Sequence, residues 1–433
     1  MIAALQNIVR IEELRKRIIF TLAMLAVYRV GCIVVTPGIN GNVIRQFFDS
    51  MSGTMFGLMN VFSGGALESL SIFALGIMPY ISASIIFQLL TVVIPALERL
   101  KKEGSEGQKR ITQWTRYATI GLALFQSLLM AFALEGGQFG QGAVLEPGWG
   151  FRLTTMITLT SGTAFIMWLG EQVTERGIGN GISLIIFSGI IVGLPSGISN
   201  VIDLVRTDQF SVLEVLFLGA IILGAIGFVV YVERAQRRIP IQHARRGTTG
   251  ASAMSYFPLR VNSAGVIPPI FASSLLMFPM TIRQYSENPT VQRFIDDWMN
   301  PSSWIYNGVY VGLIIFFCFF YTAIVINPDD VSENIKRSGG YIPGVRPGKK
   351  TAKYIDSVLS RLTFVGSIYV AAICVLPVLL STQMGVPFYF GGTALLIIVS
   401  VAMDTVGQIE SHLVSRKYEG FSTTGRIRGR LGR

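Results

Sequence analysis

The chain has 433 residues, 51% of them hydrophobic and only 14% charged, and its mean hydropathy is +0.54. A soluble domain carries nearer a quarter charged residues, so this composition excludes a globular enzyme with one anchor and selects a membrane protein of many spans. The net charge of +11 makes the few charges mostly basic, which suits loops beside anionic lipid or surfaces for acidic partners.

The first apolar run, 18–36, follows a long basic leader and lacks a small-x-small cleavage site. It reads as a permanent span rather than a signal peptide, and Arg29 within it snorkels or pairs. Next comes "VFSGGALESLSIFALGIMPYISASIIFQLL", Val61 to Leu90, with a second span at 72–94. Its leading piece, Val61 to Leu70, is about half the length of a spanning helix. It carries Gly64, Gly65 and Glu68, and such backbone is tolerated at membrane depth only inside protein or beside a water-filled cavity. The piece is therefore either an outer interfacial segment or a re-entrant half-helix in a vestibule, with Ser69 and Ser71 flanking a break before the span.

Further apolar runs follow at 116–134, 153–170, 180–198, 212–232, 264–282, 305–326, 363–383 and 389–409. The fifth span, 180–198, is the weakest, because its start is broken by glycine and Pro195 interrupts its end. The expected fold is an all-α membrane protein of ten transmembrane helices, with both termini on one side. Lys and Arg number 30 on that side and 5 in the other loops, so the termini and the long basic loops are expected in the cytoplasm. Ten spans divide into five and five near Asn200. That gives an N-terminal half, 1–200, and a C-terminal half, 201–433, entering the membrane in opposite orientation. The inverted repeat is an inference from the count alone.

Ion-coupled carriers need carboxylates or cationic relays near the midplane, and the spans offer few. Asp404 and Glu410 fall near the cytoplasmic end of the tenth span, where interfacial solvation explains them. Cys32, Cys318 and Cys374 lie far apart in apolar runs and read as small buried hydrophobes. The isolated His243 and His412 assemble neither a zinc site nor a Ser-His-Asp set, and "GIGNG" at Gly177 to Gly181 lacks the lysine of a phosphate loop. No catalytic residue, metal or cofactor is expected.

The spans do carry isoleucines at helical spacing: Ile77 and Ile81, Ile182 and Ile186, Ile267 and Ile270. Such pairs serve lipid contact and helix packing, or they form a shared constriction that excludes water. Spacing alone does not separate the two. Of the basic loops, Glu233 to Asn262 alternates around "RIPIQHAR" and "SYFPLRVN", which predicts two short strands and a hairpin. In the other, Asn327 to Leu362, Pro343, Gly344, Pro347 and Gly348 bracket Arg346 at a turn tip. Loops of this length and turn chemistry suit a macromolecular partner. The tail "GRIRGRLGR" is basic enough to touch lipid headgroups or RNA phosphates.

Six stretches together resemble the SecY family, the large subunit of the bacterial protein-conducting channel, over nearly the full length. They are "FSGGALESLSIFALGIMPYISASIIFQLL", "KKEGSEGQKRITQWTRY", "WLGEQVTERGIGNGISLIIFSGI", "VNSAGVIPPIFASS", "GYIPGVRPGKKTAKYID" and "FGGTALLIIVSVAMD". The resemblance implies a passive channel, not an enzyme, in the bacterial cytoplasmic membrane. It would conduct unfolded polypeptides across the membrane and release membrane helices sideways. It implies that Val61 to Leu70 is the plug, a short helix including Ser63, Gly64, Gly65, Ala66, Leu67 and Glu68, with the second span beginning near Ile72. Ile77, Ile81, Ile182, Ile186, Ile270 and Ile397 match the pore ring, and Ile267 matches it less closely. The spans beginning at Ile72 and Ala264 match the two sides of the lateral gate. Arg346 matches the loop arginine that supports the motor, and Arg234, Arg237, Arg238, Arg245 and Arg246 fall in the loop used by motor and ribosome. Implied partners are SecE, SecG, the SecA motor ATPase, the ribosome, preproteins with their signal sequences, and anionic lipids. Rival readings are a secondary transporter of small solutes with a polar midplane site, and a scaffold whose loops recruit cytosolic proteins.

Overall fold

In a computed structural model, residues 11–50, 63–137, 142–207, 210–243, 254–285, 303–384 and 392–424 are described, with isolated residues between them. The helices in chain order are α1 (Glu12–Ile33), α2 (Gly41–Ser50), α3 (Met78–Val93), α4 (Pro95–Lys102), α5 (Ser105–Glu135), α6 (Trp149–Arg176), α7 (Gly181–Arg206) and α8 (Val212–Arg234). After strands β1 (Gln236–His243) and β2 (Met254–Arg260) come α9 (Ile267–Tyr285), α10 (Trp304–Val325) and α11 (Pro328–Arg337). Strand β3 (Gly340–Tyr341), α12 (Lys349–Met384) and α13 (Gly392–Thr424) complete the series.

A helix overlaps each of the ten apolar runs. Among the described residues, seven of them can cross a membrane by length and composition: α5, α6, α7, α8, α10, α12 and α13. The pair α3 and α4 qualifies as an eighth only as one span bent by 98° at Ile94. Helix α1 opens on Glu12, Glu13, Arg15, Lys16 and Arg17, whose charge dilutes its apolar part, and α9 offers a short apolar stretch, Ile267–Leu276. The fold is thus a multi-pass helical membrane protein.

Local chemistry sets several boundaries. Asn180 caps α7 by accepting from the amides of Ile182 at 3.1 Å and Ser183 at 3.4 Å. Ser211 and Glu214 form a capping box at the start of α8. Two boundaries differ from expectation. Helix α7 does not stop near Pro195 but carries it inside and runs on to Arg206. The second span does not begin near Ile72: residues 72–77 are turns, Gly76 has φ +57°, and α3 starts at Met78 with Pro79 in its first turn.

Close helix approach relies on small residues. A Cβ on Gly162 of α6 would lie 1.8 Å from the Ile72 carbonyl oxygen, so only glycine lets that turn pack against α6. The three cysteines are buried and free, as expected of small apolar side chains.

The predicted hairpin is present. Strands β1 and β2 pair antiparallel, with Gln236 opposite Arg260 and Gln242 opposite Met254. The sequence reading missed β3, which joins the free edge of β1 through Gln242–Tyr341 and His243–Gly340 and makes a sheet of order β2-β1-β3. Ile239, Ile241 and Leu259 on its inner face are buried against Ile335 of α11 and Ile355 and Leu359 of α12. That face satisfies the alternating pattern read from the sequence.

Candidate pore and plug

Seven isoleucines were singled out by spacing or by resemblance, and all seven belong to one apolar cluster. Ile77, Ile81, Ile186 and Ile397 are buried in it, and Ile182, Ile267 and Ile270 pack against it partly exposed. They come from four places in the chain. Ile77 caps α3 and Ile81 lies in its first turn; Ile182 and Ile186 come from α7, Ile267 and Ile270 from the start of α9, and Ile397 from α13. Helix α3 contacts α9, and α7 contacts α13, so the isoleucine-bearing helices meet in two pairs. The pair α3 and α9 are the helices expected to flank the lateral gate. The cluster also takes in Tyr28, Phe73, Ile185 and Ile190.

Residues 63–70 lie against this cluster in a form the sequence did not predict. Ser63 is helical, but 64–70 are successive turns rather than a short helix, and Val61 and Phe62 lie outside the described residues. Gly64 and Gly65 take φ of +70° and +82°, a region that disfavours side chains, and so cannot continue a right-handed helix. The segment is pinned at its C-terminal end. The Ser71 amide donates to the Ala66 carbonyl at 2.9 Å, and the Thr36 amide to the Leu70 carbonyl at 3.0 Å. The Ile72 amide reaches the Val34 carbonyl, also at 2.9 Å. Glu68 is half-buried, and its carboxylate accepts from the Asn60 side-chain amide at 2.9 Å. Ala66 packs into the isoleucine cluster, while Leu67 and Leu70 enter a second cluster with Ile44, Phe48, Phe139 and Leu159.

Arg29 acquires partners that spacing could not reveal. Its Nη1 donates to the Gly64 carbonyl at 2.8 Å, and its Nη2 donates to the Ser188 carbonyl of α7. Next to it, the Tyr28 hydroxyl donates to the Ser63 carbonyl at 3.1 Å. The available signal was an Arg beside a Tyr in an apolar run, together with a Gly-Gly pair whose turn leaves carbonyls free.

Arg234 at the end of α8 and Arg237 and Arg238 on β1 are exposed, while Arg245 and Arg246 lie outside the described residues, as does the tail from 425 onward. Arg346 is exposed at a turn held by the Val345 amide on the Ile342 carbonyl at 3.1 Å, with Gly344 and Gly348 at φ +81° and +98°. Thr351 Oγ1 donates to the Arg346 carbonyl at 3.0 Å and fixes the tip to α12. Asp404, expected to be merely solvated, is exposed and pairs with Arg260 at 3.2 Å. Among the described residues no group of three or more His, Cys, Asp or Glu is placed to hold a metal.

These features define a helical membrane protein with an apolar interior cluster, a turn-rich segment packed on it, and a three-stranded sheet carrying exposed arginines. The chain belongs to the SecY family, whose model matches residues 71–406. It is 47% identical over 423 residues to the protein translocase subunit SecY of Escherichia coli K12, covering 96% of each chain. The SecY of Pseudomonas aeruginosa is 45% identical over 425 residues, covering 97% of this chain and 95% of the relative. Among solved structures, a SecY whose plug domain is described as stabilising the closed state and maintaining a membrane seal has the same fold. Its TM-score is 0.67, at 19% identity over 93% of both chains. Sec61 in a canine ribosome–channel complex also shares the fold, with a TM-score of 0.65, 17% identity and 93% coverage of both chains.

Proposed function

We infer that this chain is the pore-forming subunit of a protein translocase, a passive channel for unfolded secretory polypeptides that also releases membrane helices sideways. The observation that carries the reading is the convergence of seven isoleucines, from four separated parts of the chain, on one apolar cluster with Ala66 of the turn-rich segment packed into it. A collar without fixed hydrogen-bonding groups suits passage of side chains of every kind, because it favours no sequence, and when narrow it excludes water. Ile77, Ile81, Ile182, Ile186, Ile267, Ile270 and Ile397 form that collar. Residues 61–70, including Ser63, Gly64, Gly65, Ala66, Leu67 and Glu68, are the plug, and the packing of Ala66 into the isoleucine cluster supports that reading. The lateral gate lies between α3 and α9.

The finer arrangement is ten spans in two inverted halves, 1–200 and 201–433, with both termini in the cytoplasm of a bacterial cell and the chain in its inner membrane. The basic bias of the loops supports that orientation. Energy comes from outside the chain: Arg234, Arg237, Arg238, Arg245, Arg246 and Arg346 dock the SecA motor and the ribosome. SecE and SecG complete the complex, and anionic lipids neutralise its basic loops. Vesicles containing the chain with its co-purifying small subunits, supplied with the motor and ATP, are expected to import a secretory precursor to a protease-protected position. Failure to import, combined with saturable uptake of a small solute, would favour the transporter reading.

A further inference from the structure

Arg29 sets a cation among apolar neighbours, and its hydrogen bonds join three elements that the pore and plug reading treats separately. The guanidinium fork reaches one carbonyl in the 63–70 segment, at Gly64, and one in α7, at Ser188. Tyr28 adds a second bond to the segment, at Ser63, and its ring centre lies 5.4 Å from the guanidinium carbon. Gly64 is built for this approach. A Cβ there would stand 2.9 Å from Gly189 Cα and 3.1 Å from both Arg29 Nη1 and Tyr28 Oη, at φ +70°. Ser188 and Gly189 lie one turn or less from Ile186 and Ile190, which are buried in the collar cluster.

We propose that Arg29 is a positioning residue that latches the 63–70 segment to α7, so that the segment is released when α7 moves away from α1. The argument is geometric. Both partners are backbone carbonyls, which accept in a fixed direction and stay neutral, so the fork closes only when α1, the segment and α7 hold their present spacing. Widening of the collar carries Ser188 with α7 and opens the fork on that side. The segment then keeps its bonds to α1 at Ser63, Gly64 and Ser69, and to Thr36 at Leu70, and loses its tie to α7. Opening of the ring and release of the segment become one event without direct contact between plug and client. Lysine cannot substitute, because a single ammonium lacks the planar fork that reaches two carbonyls at once.

This inference rests on reading residues 63–70 as the plug, so the test separates holding from sealing. Hydrogen exchange of the complete complex in lipid nanodiscs reads holding at the amides of Gly65, Leu67, Leu70 and Ser71, bonded respectively to Asn60, Ser63, Leu67 and Ala66. Resting conductance in planar bilayers reads sealing. Arg29→Met is expected to speed exchange across 63–71 by roughly tenfold or more, the loss of about one charge-assisted hydrogen bond, while α5 and α6 keep their rates. Arg29→Lys falls between Met and the parent. Gly64→Ala, which pushes the segment off with Arg29 intact, releases it as well. If Arg29→Met does not assemble, Gly64→Ala and Tyr28→Phe carry the test, both with faster exchange expected. Faster exchange with unchanged conductance supports the latch and removes the sealing role from the segment. Parental exchange in Arg29→Met, or in both substitute variants where Met fails, overturns the proposal.

Discussion

Replacing Ile81 and Ile186 together with asparagine tests the collar directly. Both side chains are buried in the same cluster, 7% and 3% exposed. Each asparagine places an amide where isoleucine met only apolar atoms, and an unsatisfied buried polar group costs about 1–3 kcal/mol. Two such groups raise the free energy of the dry, closed collar by roughly 2–6 kcal/mol, assuming that their costs add. Water relieves that cost, so the wetted state gains roughly 30-fold to 10⁴-fold in population, at about tenfold for each 1.4 kcal/mol. Single-channel recording in planar bilayers is expected to show resting ion conductance in the double variant. Ile81→Leu with Ile186→Leu should stay closed, because it keeps the apolar volume. A double asparagine variant that unfolds at the parental temperature and remains as tight as the parent would refute the collar.

Arg346→Glu leaves the turn geometry intact and reverses the charge at its tip, so motor-driven export should fall much further than ribosome-coupled insertion; equal loss in two parallel translocation assays would remove the motor-specific role. Gly162→Ala drives a Cβ against the Ile72 carbonyl, and overpacking of this kind costs about 1–3 kcal/mol, to be read as a lower thermal unfolding temperature in detergent. Asn262→Ala strips the side-chain amide that donates to Glu233 at 2.7 Å and should cost about 1.5–3 kcal/mol, the range for hydrogen bonds to charged groups. Asp404→Ala, which breaks only the exposed pair with Arg260, should cost about 0–1 kcal/mol in the same melting experiment. The reverse order would mean that the exposed pair is the stronger joint.

Much of this architecture was legible because a bilayer imposes length. A run such as 212–232 must be a helix to satisfy its backbone in lipid, and α8 occupies Val212–Arg234. Strand alternation in "RIPIQHAR" was equally readable, since Ile239 and Ile241 must share one face. The third strand was not readable, because two residues, Gly340 and Tyr341, carry no period and pair only once a distant edge is offered. The form of residues 63–77 was hidden for a related reason. Gly64, Gly65 and Gly76 adopt positive φ values that tertiary contacts select, and glycine permits helix and turn alike. Spacing placed the isoleucines on helix faces, but only packing could show that α3, α7, α9 and α13 turn those faces toward one cluster. The partners of Arg29 lie 35 and 159 residues away along the chain, beyond any local pattern.

The sheet changes how the two basic loops should be regarded. In sequence they are separate, but β3 fastens the Arg346 loop to the hairpin, and Tyr341 Oη reinforces the join by donating to Gln242 Oε1 at 2.9 Å. A partner that presses on either loop therefore presses on one body, seated on α11 and α12 through Ile335, Ile355 and Leu359. From that body β2 runs through Asn262 into α9, one side of the proposed gate. Asn262 is buried, and its amide donates both to Glu233 at the end of α8 and to the Gly265 carbonyl at 3.2 Å. The Arg260–Asp404 pair reaches α13 but is exposed and weak by comparison. The firmest join between the sheet and the helices thus runs through Asn262 to the junction of α8 and α9, and α9 brings Ile267 and Ile270 to the isoleucine cluster. On α7, which brings Ile182 and Ile186 to the same cluster, Ser188 is tied through Arg29 to Gly64 of the 63–70 segment.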